Sequence, residues 1–292
     1  MIQDAFVQNQ KWFRVSSNRR SVLQSLAILL VGVPTGLADD SSRAAEIVAQ
    51  TERAFSSRCA EVGIRDAFLE YFSTDAIHFE PGPRLARPDL EHEPSSVTPR
   101  LTWEPKVIRV ASSGELAVST GPYILQSKTG KHSFGYFLSI WKRQTDRKWK
   151  VDADIGVPAP QSVDLSEDFQ VYGASSASES LESSKLLAFE REQFGRSVDR
   201  ATIYQSLILP QTVFERADLP LMAGESSYRS LLAALQTKRM DLSQSGGDLS
   251  GNLGFTYGTE ADQHSPAVSY LRVWIWCPPG WRLLFDVVTK EE

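Results

Sequence analysis

The sequence predicts an α+β protein made of two tandem copies of one domain, each with helices packed on an antiparallel sheet. Three observations predict this. The chain has 292 residues, which suits two domains of about 100–150 residues better than one. Three segments recur in the same order at nearly constant spacing. Each copy runs from helical periodicity into short strands separated by turn residues.

The recurrence is specific. Ser113-Gly114-Glu115-Leu116-Ala117-Val118-Ser119-Thr120-Gly121 returns in outline as Ser250-Gly251-Asn252-Leu253-Gly254-Phe255-Thr256-Tyr257-Gly258. Phe137-Leu138-Ser139-Ile140-Trp141 returns as Tyr270-Leu271-Arg272-Val273-Trp274. Trp149-Lys150-Val151-Asp152-Ala153-Asp154 returns as Trp281-Arg282-Leu283-Leu284-Phe285-Asp286. Small drifts in spacing are loop-length changes, and the pattern reads as a tandem duplication.

In the first copy, Ala44, Ile47, Val48, Thr51, Phe55 and Cys59 recur at helical spacing, predicting a helix over 44–62 that Gly63 stops. A second helix is expected over 64–72 and a short extended piece at Ile77-His78-Phe79. Strands are expected over 101–111, 115–126, 132–142 and 148–157, with turns at Ser112-Ser113-Gly114 and Thr145-Asp146-Arg147. In the second copy a helix is expected over 186–198, followed by 203–209, an extended 212–215 and a helix over 226–235. Strands are expected over 238–243, 252–259, 267–276 and 281–289. Residues 158–184 are rich in Pro, Ser and Ala, lack periodicity, and read as a linker.

The N-terminus has the layout of an export signal. Lys11, Arg14, Arg19 and Arg20 precede an uncharged run from Ser21 to Ala38, and Gly36-Leu37-Ala38 supplies small residues for cleavage. The apolar core is short for a membrane span of about 20 residues. Asn18-Arg19-Arg20-Ser21-Val22-Leu23-Gln24 resembles a twin-arginine motif, with Val22 and Gln24 departing from the usual aromatic and Lys. The chain therefore divides into a signal peptide at 1–38, a first domain at 39–158, a linker at 159–183 and a second domain at 184–292. The expected location is the periplasm or the medium, with no stable membrane span after cleavage.

Composition narrows the partners. The formal net charge is -5, and loss of the basic leader makes the rest more acidic, so nucleic acid is excluded as an expected partner. Cys59 and Cys277 are expected to stay unpaired. No His/Cys cluster has metal-ligand spacing, His92 reads as part of a solvated loop, and neither metal nor cofactor is expected.

Phe79-Glu80-Pro81-Gly82-Pro83, the segment Ser113 to Gly121, and Trp141 through Trp149 to Asp154 resemble the nuclear-transport-factor-2-like superfamily, in its SnoaL-like and ketosteroid-isomerase-like branches. The resemblance is closer over 43–158 than over 184–290. It implies a curved sheet wrapped on helices into a cone with an apolar cavity, once per copy. Members with known activity include isomerases, dehydratases, cyclases and epoxide hydrolases, and others bind a ligand or dimerise. Such a fold does not choose the chemistry.

Strand alternation sorts the candidate residues. His132, Phe134, Tyr136, Leu138 and Ile140 share one face, matched by Ser269, Leu271, Val273 and Ile275. This more aliphatic face is expected to meet the helices and line the cavity. Tyr136 and His132 are then the candidate ligand-binding residues, with His78 near the mouth; a His beside a Tyr suits acid–base chemistry. The opposite face carries Phe137, Trp141, Tyr270, Trp274 and Trp276, expected to pack one sheet against the other as an internal pseudo-dimer within a monomer. Asp154 and Asp286 read as locally paired or solvent-facing. The leading expectation is an exported protein binding a small apolar molecule in the first cavity. A lyase, isomerase or hydrolase of a small hydrophobic substrate, and a structural or interaction module with filled cavities, stay open as alternatives.

Overall fold

The computed structural model describes residues 36–161, 168–171, 181–195, 199–235, 241–261, 267–278 and 280–289. The expected signal peptide, 1–38, lies almost wholly outside them. Among the described residues no helix is long and apolar enough to cross a membrane.

In the first unit, helix α1 (Gly36–Val62) and α2 (Ile64–Tyr71) lead into β1 (Phe72–His78), β2 (Arg84–Leu85) and α3 (Ala86–His92). Strands β3 (Arg100–Trp103), β4 (Val107–Val110), β5 (Leu116–Gln126), β6 (His132–Arg143) and β7 (Trp149–Ala159) complete it, with β8 (Asp168–Val171) beyond. The second unit repeats the order: α4 (Ser183–Phe194), α5 (Arg200–Leu207), β9 (Ile208–Arg216), β10 (Met222–Ala223), α6 (Glu225–Leu235), β11 (Asp241–Ser250), β12 (Leu253–Ala261), β13 (Val268–Cys277) and β14 (Gly280–Val288).

The sheets share a topology. The first runs β2-β1-β7-β6-β5-β4-β8, with β3 also on β5; the second runs β10-β9-β14-β13-β12-β11. In each, the strand after the second helix pairs parallel with the last meander strand, β1 on β7 and β9 on β14. The duplication read from the sequence is therefore present as matched strand orders.

Local chemistry explains the elements. Helix α1 buries Ala44, Ala45, Val48, Ala49, Phe55 and Cys59 along one stripe, with Glu52 in its middle. Gly63 ends it at φ 91, and a Cβ there would lie 1.8 Å from the Ser96 carbonyl oxygen, so only glycine fits this turn. The expected single strand over 101–111 is two strands, β3 and β4, either side of Pro105, which has no N–H for the ladder. His92 ends helix α3 instead of lying in a loop. The linker departs from expectation too, because β8 adds a parallel strand to β4. Buried Arg109 anchors it through an Nη2–Oδ2 contact of 2.5 Å to Asp168, covering what would be an open sheet edge.

Residues 36–292 form one body. Tyr136, Leu138, Ile140, Ala153 and Ile155 of the first sheet share a core cluster with Leu271, Val273, Ile275, Phe285 and Val287 of the second. The matched turns of the two units also meet, with Ser113 Oγ 2.9 Å from Ser250 Oγ. Ser112 N–H donates to Asn252 Oδ1 at 3.0 Å.

This arrangement reverses the expected faces. The aliphatic face is pressed sheet on sheet, and the aromatic face turns inward to the helices: Trp141 packs with α1, and Trp274 with α4 and α5. Two reasons favour it. Interlocking aliphatic side chains fill the shallow gap of about 10 Å between aligned sheets, whereas wide rings span the deeper space between a curved sheet and helices. Buried indoles also need acceptors, and the helix side supplies them: Trp141 Nε1–H donates to Glu52 Oε2 at 2.6 Å, and Trp274 Nε1–H to Thr256 Oγ1 at 2.8 Å.

Candidate functional site

The cone of the first unit holds a cavity of about 270 Å³ between α2, β1 and the concave face of the sheet. Its walls include the rings of Phe68, Trp103, Tyr123 and Phe137, and Asp154 lies among them. Phe68 and Phe137 both meet Trp103 edge-on, at 6.2 and 6.3 Å between ring centroids. The site is thus mainly apolar and aromatic with two carboxyl groups, Asp154 and Glu80, in its lining, the usual composition of a small-molecule pocket.

A β-bulge aims that carboxyl. Ile140 pairs with Ala153 but Trp141 pairs with Val151, so Asp152 is an extra residue on β7. Before the bulge Val151 faces the helices; after it Ala153, Ile155 and Val157 face the other sheet, and Asp154 and Gly156 face the cavity. Ser139 Oγ donates to Asp154 Oδ2 at 2.7 Å, and among the described residues this is the carboxylate's one side-chain hydrogen bond. Asp154 is half-buried, and part of its surface borders the cavity, so whatever fills the cavity contacts the carboxyl. Burial pushes its pKa up to about 6, against the smaller lowering effect of Ser139.

A second acid stands behind the aromatic wall. Glu52 has no exposed surface. It accepts hydrogen bonds from Trp103 Nε1 at 2.6 Å, from Trp141 Nε1 and from the Ser119 hydroxyl. Burial pushes it up to about 7, neutral donors pull it part of the way back, and Asp154 adds a smaller upward push.

His78 is brought to the same place by strand register, being the partner of Asp154 across the β1–β7 pair. Its Nε2 lies 2.7 Å from Asp89 Oδ2, and that oxygen lies 2.5 Å from Arg84 Nε. Glu80 lines the cavity beside it. Tyr123 closes another side. Its ring lies so close over Gly135 that a Cβ there would fall 2.2 Å from Tyr123 Cζ. Burial, with a smaller contribution from Glu80, pushes the Tyr123 hydroxyl up to about 12, so it stays protonated.

The second cone is built on the same positions, and the place matching Asp154 is filled by a charged cluster; its own opening, of about 510 Å³, lies elsewhere, beside α5, β9 and α6. Asp286, the counterpart of Asp154, meets Arg272, which stands where the first unit has Ser139: Nε to Oδ1 is 3.0 Å. Arg272 also reaches Glu260 at 2.6 Å and Glu190, the counterpart of Glu52, at 3.3 Å. Tyr204 and Arg216 complete the shell of Asp286 at 2.6 and 2.5 Å. Arg272, Glu190 and Asp286 have 0% exposure, so no cavity reaches them. Burial alone would raise Asp286; the two guanidinium groups outweigh it and hold the carboxyl at about 2.

The candidate ligand residues separate. His78 lines the cavity. His132 is exposed at the start of β6. Tyr136 lies in the core between the sheets, on the far side of β6 from the cavity. Of the residues assigned to the sheet–sheet interface, Phe137 lines the cavity, and Trp141, Trp274 and Trp276 pack in the helix–sheet cores. Tyr270 donates to Glu190 Oε2 inside the second cone at 3.1 Å. Of the two readings given for Asp154 and Asp286, local pairing is the one that holds: Asp286 meets Arg272 and Arg216, and Asp154 accepts from the Ser139 hydroxyl. Strict alternation along β7 hides the bulge that turns Asp154 to the cavity, and Glu52 on α1, Tyr123 on β5 and Glu80 after β1 are brought beside it only by tertiary packing. The one sequence signal was the change of Ser139 to Arg272 between repeats beside two matched aspartates. Among the described residues no group of acidic, His or Cys side chains could hold a metal ion. Both cysteines are free.

No protein-family model matches this chain, and no characterised protein aligns with it by sequence. It is similar in fold to several solved structures. An NTF2-like protein of unknown function from Pseudomonas putida matches at 12% identity and a TM-score of 0.32, over 40% of this chain and 89% of that one. Nuclear transport factor 2 from Cryptosporidium parvum matches at 15% and 0.29, over 37% and 90%. The epoxide hydrolase/cyclase-like enzyme of pyran-ring formation in salinomycin matches at 18% and 0.29, over 41% and 92%. Likeness at this level does not extend to chemistry.

Proposed function

We propose that the protein binds a small, mainly apolar molecule in the first cone, while the second cone, plugged at the matching place, serves as a rigid partner that backs its sheet. One observation carries this: two cones of the same descent differ in that one is plugged by its own Arg272 and the other is left open around an uncompensated Asp154. At about 270 Å³ the space is below the roughly 300–1,000 Å³ of drug-sized pockets, which favours a ligand of one or two rings. We place this activity outside the cytoplasm, on the export pattern of residues 1–38, in a monomeric chain. Native mass spectrometry of protein purified from its own host, followed by denaturation and analysis of released small molecules, tests the reading. A stoichiometric ligand supports it. Protein that is empty and gains no thermal stability from any member of a library of small aromatic compounds overturns it.

A second reading has its own support. A carboxyl held near 6 by burial, with His78 as its register partner, suits proton transfer in an isomerase or lyase. Under that reading Asp154→Asn leaves binding of the released molecule intact but abolishes its turnover.

A further inference from the structure

We propose that the ligand of the first cone is an organic cation, whose positive head group sits against Asp154 where the second cone places the guanidinium of its own Arg272. The inference rests on the binding reading above and names the class of molecule.

The second cone shows what this architecture does with a carboxylate at this position. Arg272 ion-pairs with Asp286 while its guanidinium lies 4.1 Å from the ring centre of Tyr270 and 4.2 Å from that of Phe194. The protein thus already holds one cation in an aromatic, acidic cone. In the first cone Phe137 stands where Tyr270 does, Asp154 where Asp286 does and Glu52 where Glu190 does. Ser139, a far shorter and uncharged side chain, stands in place of the arginine and brings no cation to Asp154.

Charge completes the case. The cavity lining includes Asp154 and Glu80, with no Lys or Arg among them, and Glu52 lies one ring behind. His78, from β1, is turned to Asp89 and Arg84, and Tyr123, from β5, stays protonated. A neutral apolar ligand would strip water from Asp154 and return nothing to it. That costs the desolvation of a carboxylate or forces it to take up a proton. A quaternary or protonated amine replaces the lost water with an opposite charge, and the rings of Trp103 and Phe137 supply cation–π partners.

The test compares phenyltrimethylammonium with its neutral carbon isostere, tert-butylbenzene, by equilibrium dialysis against the purified protein. The probe's charge is permanent, so any pH dependence belongs to the protein. At pH 8 the cation is expected to bind at least tenfold more tightly than the isostere. Its advantage is expected to shrink towards none at pH 5, as the acids of the cone take up protons. Asp154→Asn is expected to remove the preference at pH 8, and Ser139→Arg to abolish cation binding by supplying the plug of the second cone. Circular dichroism establishes that each variant folds, and the pH comparison on the unaltered protein stands without them. Equal affinity for the two probes, or a preference unchanged from pH 8 to pH 5, overturns the cation and leaves the cavity reading standing. Binding of neither probe overturns both.

Discussion

Glu215→Gln is expected to stabilise the protein in mild alkali and to flatten its stability–pH profile. Glu215, on β9, is buried between the two sheets with no exposed surface. It accepts one hydrogen bond, from Thr120 Oγ1 at 2.6 Å, and its Oε2 has no partner. Burial pushes its pKa up to about 8 from 4.5, with Thr120 and then Arg216 pulling down more weakly. Between these two values the folded protein keeps a proton that the unfolded chain has released. Stability therefore falls as pH rises through that window and is level below and above it. At about 1.4 kcal/mol per pH unit, the fall between pH 5 and pH 8 is on the order of 3–4 kcal/mol. That is an upper figure, because water entry and relaxation soften it. Gln is neutral throughout, keeps an acceptor for Thr120, and places an amide donor near the unpartnered Tyr136 hydroxyl. Glu52 and Asp154 titrate in the same direction in both proteins, and Asp286 responds only in stronger acid. The difference between variant and parent thus isolates Glu215. Urea unfolding at pH 5 and pH 8 measures it. Parallel profiles for the two proteins would refute the claim that this acid is held neutral between the sheets.

Three further outcomes are expected. Arg272→Ala strands Glu190, Glu260 and Asp286 without their shared cation, and loss of one member of a buried charge cluster costs about 3–5 kcal/mol, read as a lowered urea midpoint. Asp154→Asn removes an acid raised by burial to about 6, so its melting temperature should exceed that of the parent at pH 8 and match it near pH 4. Gly135→Leu drives a side chain into the space of the Tyr123 ring; ligand binding, followed by dialysis, should be lost while far-ultraviolet circular dichroism keeps its folded shape.

The sequence determined the duplication, the α+β class and most element positions. These follow from local rules: helical spacing on α1, turn residues at Ser112-Ser113-Gly114, and alternation on β5 and β6 each act over a few residues. It also carried the decisive difference between the repeats, Ser139 against Arg272, without saying what that difference is for. Tertiary structure decided the rest. Alternation along β6 and β13 separates two faces but does not say which one meets the helices; that depends on the width of the gap each face must fill and on acceptors such as Glu52, contributed from a distant helix. The bulge at Asp152 is a property of strand pairing, so the side on which Asp154 emerges is set by β6 as much as by β7. The open cone is likewise a tertiary result: Phe68, Trp103 and Phe137, far apart in the chain, wall a cavity beside Asp154, whereas in the second unit Arg272 reaches Asp286, Glu190 and Glu260.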